Sequence, residues 1–257
     1  MENIELYRGE TYTDVFLWEI DPIVYKPITA ATQTAPVRLT VAGHGMPNGW
    51  FGAITNVKGM TELNAEANNI GVKDYHQITY IDADTVDVND INAAGFKPYI
   101  SGGYLQYNTP KNLTGISARM SIKAKQGEKS MLICTVGGVS GSVKPTAAGV
   151  DGGVTWASPV SLADLKKPAT KEWVAGATYV SGDVIDTKTL FFLTEGNGRI
   201  IVDDATKTIV RTISAADIAL FSWKTAWYDL EAYSNDLVPI VTKLASGKIT
   251  VHDEVTT

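Results

Sequence analysis

TLFFLTEGNGRIIVDDATKTIVRTI, residues 189–213, decides the fold class. TLFFLTEG (189–196) and RIIVDD (199–204) read as strands on either side of Gly196-Asn197-Gly198, the residue chemistry of a hairpin turn. KTIVRTI (207–213) follows as a third strand, and β-branched and aromatic residues crowd all three, as a pleated, half-buried surface demands. Toward the C-terminus, Ser214 is a candidate N-cap for a short helix over 214–223. AWYDLEAYS (226–234), VPIVTKLASG (238–247) and KITVHDEV (248–255) then close a β-meander.

The same texture extends toward the N-terminus. TYTDVFLWEI (11–20) holds a strand that Pro22 and Pro27 are expected to break. VRLTVAGHG (37–45), FGAITNV (51–57) and HQITYIDADTVDV (76–88) read as short strands joined by Gly-rich turns, the pattern of a small barrel or sandwich. LTGISARMSIKA (113–124) alternates Ile116, Ala118, Met120 and Ile122 with polar neighbours. A low-charge Gly/Ser/Val stretch (135–158) and KEWVAGATYVSGDVI (171–185) lie between, with one helical turn expected over 162–165. No long amphipathic helix interrupts the strands, so the expected class is all-β.

Composition narrows the function classes. The chain has 257 residues, room for two or three small domains, and a net charge of −6 with no Lys/Arg stripe. Nucleic-acid binding needs clustered cations to release phosphate counterions, so DNA and RNA are not expected partners. The single cysteine, Cys134, allows neither an intrachain disulfide nor a cysteine-based zinc cage. No stretch approaches the ~20 apolar residues of a membrane span, and from the opening Met-Glu-Asn no secretory leader is expected. The expectation is a soluble product made in a cytoplasm.

Three sets of residues carry resemblances. Arg8-Gly9-Glu10-Thr11 with Phe16 and Trp18, Leu113-Thr114-Gly115 with Ala118-Arg119-Met120, and Tyr228-Asp229-Leu230-Glu231 with Gly247, Ile249, Val251 and Glu254-Val255-Thr256 form the first. Together they resemble a compact β-domain of tailed-bacteriophage virion proteins and, more loosely, attachment domains of phage baseplate upper proteins. The family's first strand pair is continuous, whereas residues 29–112 intervene here. That intervening segment, with Val37-x-Leu39-x-Val41, Gly43-His44-Gly45, Gly59-Met60 and Thr85-Val86-Asp87-Val88, is similar to the small β-barrel between the catalytic halves of ubiquitin-activating enzymes. The likeness implies a fold and no ubiquitin chemistry. Leu132, Cys134, Ser140-Gly141, Pro145, Asp151-Gly152, Val154-Thr155-Trp156, Trp173, Tyr179 and Gly182-Asp183-Val184 resemble a carbohydrate-binding module of phage fibres and chitinases, with its halves swapped. Such insertions are tolerated at loop tips.

Candidate chemistry is sparse. His44 sits between two glycines that suit a turn, and no histidine has a second one at metal-ligand spacing. Asp82, Asp84, Asp87 and Asp90 are oxygen-rich enough to suggest calcium, yet they lack the glycine and terminal glutamate of an EF-hand loop and read as solvated carboxylates at a strand end. Ser140 is outside a nucleophile elbow, and Gly43, Gly45 and Gly49 miss the dinucleotide spacing. No catalytic residue, metal ligand or cofactor is expected. Trp156, Trp173 and Tyr179 are the candidate ligand contacts, since exposed rings stack on sugar faces; the competing reading is that they fill a small core.

The expected architecture is an antiparallel β-sandwich framework (1–28, 113–129 and 189–257) with one short helix and two inserted β-rich modules. The first insertion, a small β-barrel, spans 29–112, and the second, carbohydrate-binding-like, spans 130–188. The resemblance implies a non-enzymatic exterior virion protein docked to tail, fibre or capsid in multiple symmetric copies, with a lean to the tail side. Two alternatives stand beside it: a capsid decoration protein and an adhesin for a host-surface glycan.

Overall fold

The computed structural model describes residues 3–65, 70–125, 131–136, 149–157, 170–171, 176–186, 189–236 and 240–253. In chain order the first strands are β1 (Ile4–Tyr7), β2 (Tyr12–Leu17), β3 (Glu19–Pro27), β4 (Ala30–Ala31) and β5 (Val37–Thr40). Next come β6 (Phe51–Thr55), β7 (His76–Asp82), β8 (Thr85–Val88), β9 (Tyr104–Pro110) and β10 (Ile116–Lys123). β11 (Met131–Val136), β12 (Gly149–Asp151), β13 (Val154–Ala157), β14 (Thr170–Lys171) and β15 (Val184–Asp186) follow. The chain finishes with β16 (Thr189–Thr194), β17 (Ile200–Asp203), β18 (Thr208–Ile213), helix α1 (Ala215–Ala219), β19 (Thr225–Ser234) and β20 (Val241–His252). The protein is all-β, as its sequence texture predicts, and no described helix is long and apolar enough to cross a membrane.

Two units divide the chain: one comprises Met1–Phe16, Leu113–Val202 and Ile209–Thr257, the other Leu17–Asn112 and Asp203–Thr208. The first unit contains the framework. Its main sheet runs β1-β20-β19-β10-β16, antiparallel throughout except that β1 pairs in parallel with β20. A three-stranded sheet, β17-β18-β2, packs on it. Alternation specifies the buried face: Ile209, Arg211 and Ile213 point inward from β18, and Ala226, Tyr228, Leu230 and Ala232 from β19.

The framework's motif residues are structural. Thr11 Oγ1 accepts a hydrogen bond from the Ala215 N–H at the start of α1. Arg8 donates to the carbonyls of Ile218 (3.2 Å), Ala219 (2.9 Å) and Phe221 (2.5 Å) at its end. Residues of one tetrapeptide thereby bond both ends of the short helix, beside its own Ser214 cap. Arg119 and Glu231, cross-strand partners on β10 and β19, form an ion pair at 2.7 Å.

Two expectations for this unit need correction. β16 and β17 do not form a hairpin ladder: β16 pairs with β10 and β17 with β18, so the Gly196–Gly198 turn carries the chain from one sheet to the other. Residues 241–252 form one strand rather than two, because Ser246 and Gly247 stay in register with Asp229 and Tyr228.

The second unit is a small barrel with strand order β3-β9-β6-β7-β8-β5-β4. It closes through chain continuity: β3 pairs with β9, and Ala30–Ala31, three residues further on, pair with β5. Trp50, Leu39, Ile54, Ile78 and Leu105 are among the side chains filling its core. β3 corrects both a strand and a boundary. Pro22 does not end it but sits in a register shift between Ile20 and Ile23, where a bulge spares the ladder its missing N–H. Because β3 pairs with β9, the barrel begins at Leu17 and not at residue 29.

Described residues between 131 and 186 build a separate sheet, β12-β13-β11-β15-β14, within the first unit. Its core holds Cys134, Val154, Trp156, Tyr179 and Ile185. The helical turn expected over 162–165 lies outside the described residues.

Candidate functional site

Trp156 and Tyr179, the candidate sugar contacts, are each 2% exposed. Trp156 lies on the inward-facing side of β13, and its ring meets Tyr179 edge-to-face with centroids 5.3 Å apart. Stacking on a sugar requires a ring face open to water, and these two rings spend theirs on each other and on the core. The ligand-contact reading of Trp156 and Tyr179 is therefore corrected to a packing role. Trp173 lies outside the described residues.

The histidines and aspartates are likewise committed. His44 is fully buried; its Nδ1 accepts from the Met46 N–H at 3.0 Å and its Nε2 faces the Asp82 carbonyl at 2.8 Å. With Nδ1 accepting, Nε2 is the nitrogen placed to donate to that carbonyl. Gly43 and Gly45 hold φ of +55° and +67° around it, the left-handed turn expected of them. Tyr107 donates its hydroxyl to the His44 carbonyl, and burial raises the pKa of that phenol. Asp84 accepts from the Gly43 N–H, Asp87 pairs with Arg38, and Asp90 pairs with His76. Among the described residues no group of three or more His, Cys, Asp or Glu side chains is placed to hold a metal ion.

One cavity, of about 420 Å³, combines apolar walls with polar groups. It lies entirely within the barrel unit and is lined by Glu19, Phe51, Ile70, Val72, Tyr75 and Asn108. β3 supplies Glu19 at its first residue, and β9 supplies Asn108 near its end. Asn108 Nδ2 donates to Glu19 Oε2 at 2.7 Å, while the Asn108 backbone carbonyl accepts from Trp50 Nε1 at 2.9 Å. The Asn108 backbone is thus tied to a core side chain, while its carboxamide is held by Glu19. Phe51 opens β6, paired with Gln77. Tyr75 follows a 3₁₀ turn (Val72–Asp74) whose Asp74 carboxylate accepts from the Gly71 N–H at 2.8 Å, and its hydroxyl receives Gln106 Nε2 at 3.4 Å. Val72 stands at the lip, 93% exposed.

Sequence reasoning does not find this site. Glu19 and Asn108 are 89 residues apart, and only the β3–β9 ladder joins them. The one local signal was the aromatic pair Trp50-Phe51 at the head of a predicted strand. No protein-family model matches the chain, and no curated protein matches it.

Proposed function

We propose that this chain is a non-enzymatic structural protein on the exterior of a tailed-phage virion, docking through its framework and presenting its inserted modules outward. The observation that carries this reading is the nested construction. A β-sandwich assembled from separated stretches of chain holds a complete barrel with its own core between Phe16 and Leu113. The entry and exit of that barrel lie side by side, with the Lys111 N–H donating to the Trp18 carbonyl at 2.9 Å. An arrangement of this kind adds surface without disturbing the core that carries it.

The motif residues support the same reading. Arg8, Thr11, Arg119 and Glu231 all serve framework hydrogen bonds and ion pairs rather than a cleft. Partners would be tail, fibre or major capsid proteins, met as multiple symmetric copies because virion sites repeat. Cryo-electron microscopy of purified particles tests the proposal. Density for the chain at the tail or fibre base supports an attachment role, and density repeated over the capsid lattice supports decoration. Particles that lack the chain altogether would sink it.

A further inference from the structure

We infer that the barrel cavity at Glu19 and Asn108 is a binding site for a neutral pyranose, such as the terminal hexose of a glycan. The inference does not rest on the virion reading, since it follows from the cavity's own chemistry. At about 420 Å³ the cavity is at the small end of the roughly 300–1,000 Å³ usual for ligand pockets, fitting one or two sugar rings. Phe51 and Tyr75 supply aromatic surface for the C–H face of a ring, and Val72 extends that surface at the lip.

The polar pair selects the ligand class. The Asn108–Glu19 hydrogen bond sets a carboxylate beside a carboxamide in the cavity wall, and Glu19 Oε1, Asn108 Oδ1 and the second Nδ2 hydrogen are the remaining polar groups of that pair. That set contains both acceptors and a donor. Vicinal sugar hydroxyls donate and accept, so two of them satisfy all three. An ammonium group only donates and would leave the amide N–H unmatched. Anionic ligands are disfavoured, because the lining carries a carboxylate and no Lys or Arg.

The test uses the full chain and the methyl glycosides of glucose, galactose, mannose and N-acetylglucosamine, with saturation-transfer NMR as the readout. At least one should receive saturation on its ring protons, with a dissociation constant of about 1–10 mM. Glu19→Gln keeps the shape and fold but removes the charge, and should weaken binding about ten-fold. Tyr75→Ala should abolish transfer, with a retained cooperative thermal transition confirming the fold. Absence of transfer from all four at about 20 mM, or transfer that survives both substitutions, would overturn the site. So would tighter binding of tetramethylammonium than of any glycoside. None of these outcomes bears on whether the chain is found in particles, so this inference and the virion proposal fail separately.

Discussion

Arg211 has no solvent exposure, the lowest of the charged side chains among the described residues, and lies between β18 and the main sheet. Its Nη2 pairs with Asp14 on β2, its Nη1 lies 3.9 Å from Met120 Sδ, and its guanidinium carbon is 5.6 Å from the Tyr228 ring centre. Removing the carboxylate strands a buried cation, whereas removing the cation leaves a carboxylate that water partly reaches. Asp14→Ala should therefore cost about 3 kcal/mol in urea unfolding, and Arg211→Met distinctly less; equal costs would contradict this account. Gly59 poses a steric demand instead. Its φ is +87°, and a Cβ there would press on the Pro98 carbonyl oxygen with the Ile100 nitrogen 2.8 Å away. Gly59→Ala should lower stability by about 2 kcal/mol or more, read as a drop in melting temperature.

Helix α1 shows how much an element owes to what surrounds it. Its cap is Ser214, and Asp217 accepts from Ser214 Oγ (2.8 Å) and from Arg199 Nε (3.0 Å). The Arg199 guanidinium, with Ser214 assisting, holds the Asp217 carboxyl below the usual aspartate range. A carboxyl whose pKa is lower folded than unfolded adds stability above its unfolded value, about 3.9, and loses it as pH falls through the folded value. Asp217→Asn should thus cost about 1 kcal/mol at pH 7, and wild type and variant should converge as pH falls through the lowered folded-state value. Arg8→Ala should loosen the other end of α1, seen as faster amide exchange over 218–221. Such local features were legible in the sequence: the Ser214 cap and the alternation of β18 and β19 follow from residue type and period. Pairing was not. Nothing in residues 189–204 reveals that β16 and β17 join different sheets, because turn residues specify a reversal and not the neighbour that follows. Aromatic content placed Trp156 and Tyr179 in a small module but not on one side of it, and the Glu19–Asn108 pair exists only once β3 meets β9.

At the scale of the molecule, separate cores imply separable folding. The barrel closes on its own strands, so residues 17–112 expressed alone should fold cooperatively with dispersed methyl resonances. The remaining framework, with residues 18–111 replaced by a short Gly/Ser link, should retain a cooperative thermal transition, because Trp18 and Lys111 already lie together. Loss of folding in both pieces would show the units to be interdependent. The parallel pairing of Ile4–Tyr7 with Ile249–His252 has a consequence of another kind. Strands that run the same way present opposite ends to a pull applied at residues 4 and 252. Tension along that line loads every rung between β1 and β20 together, in shear, where an antiparallel pair held by adjacent ends would peel one rung at a time. Stretched by its ends, the framework is built to resist as a clamp and then to give way in a single rupture.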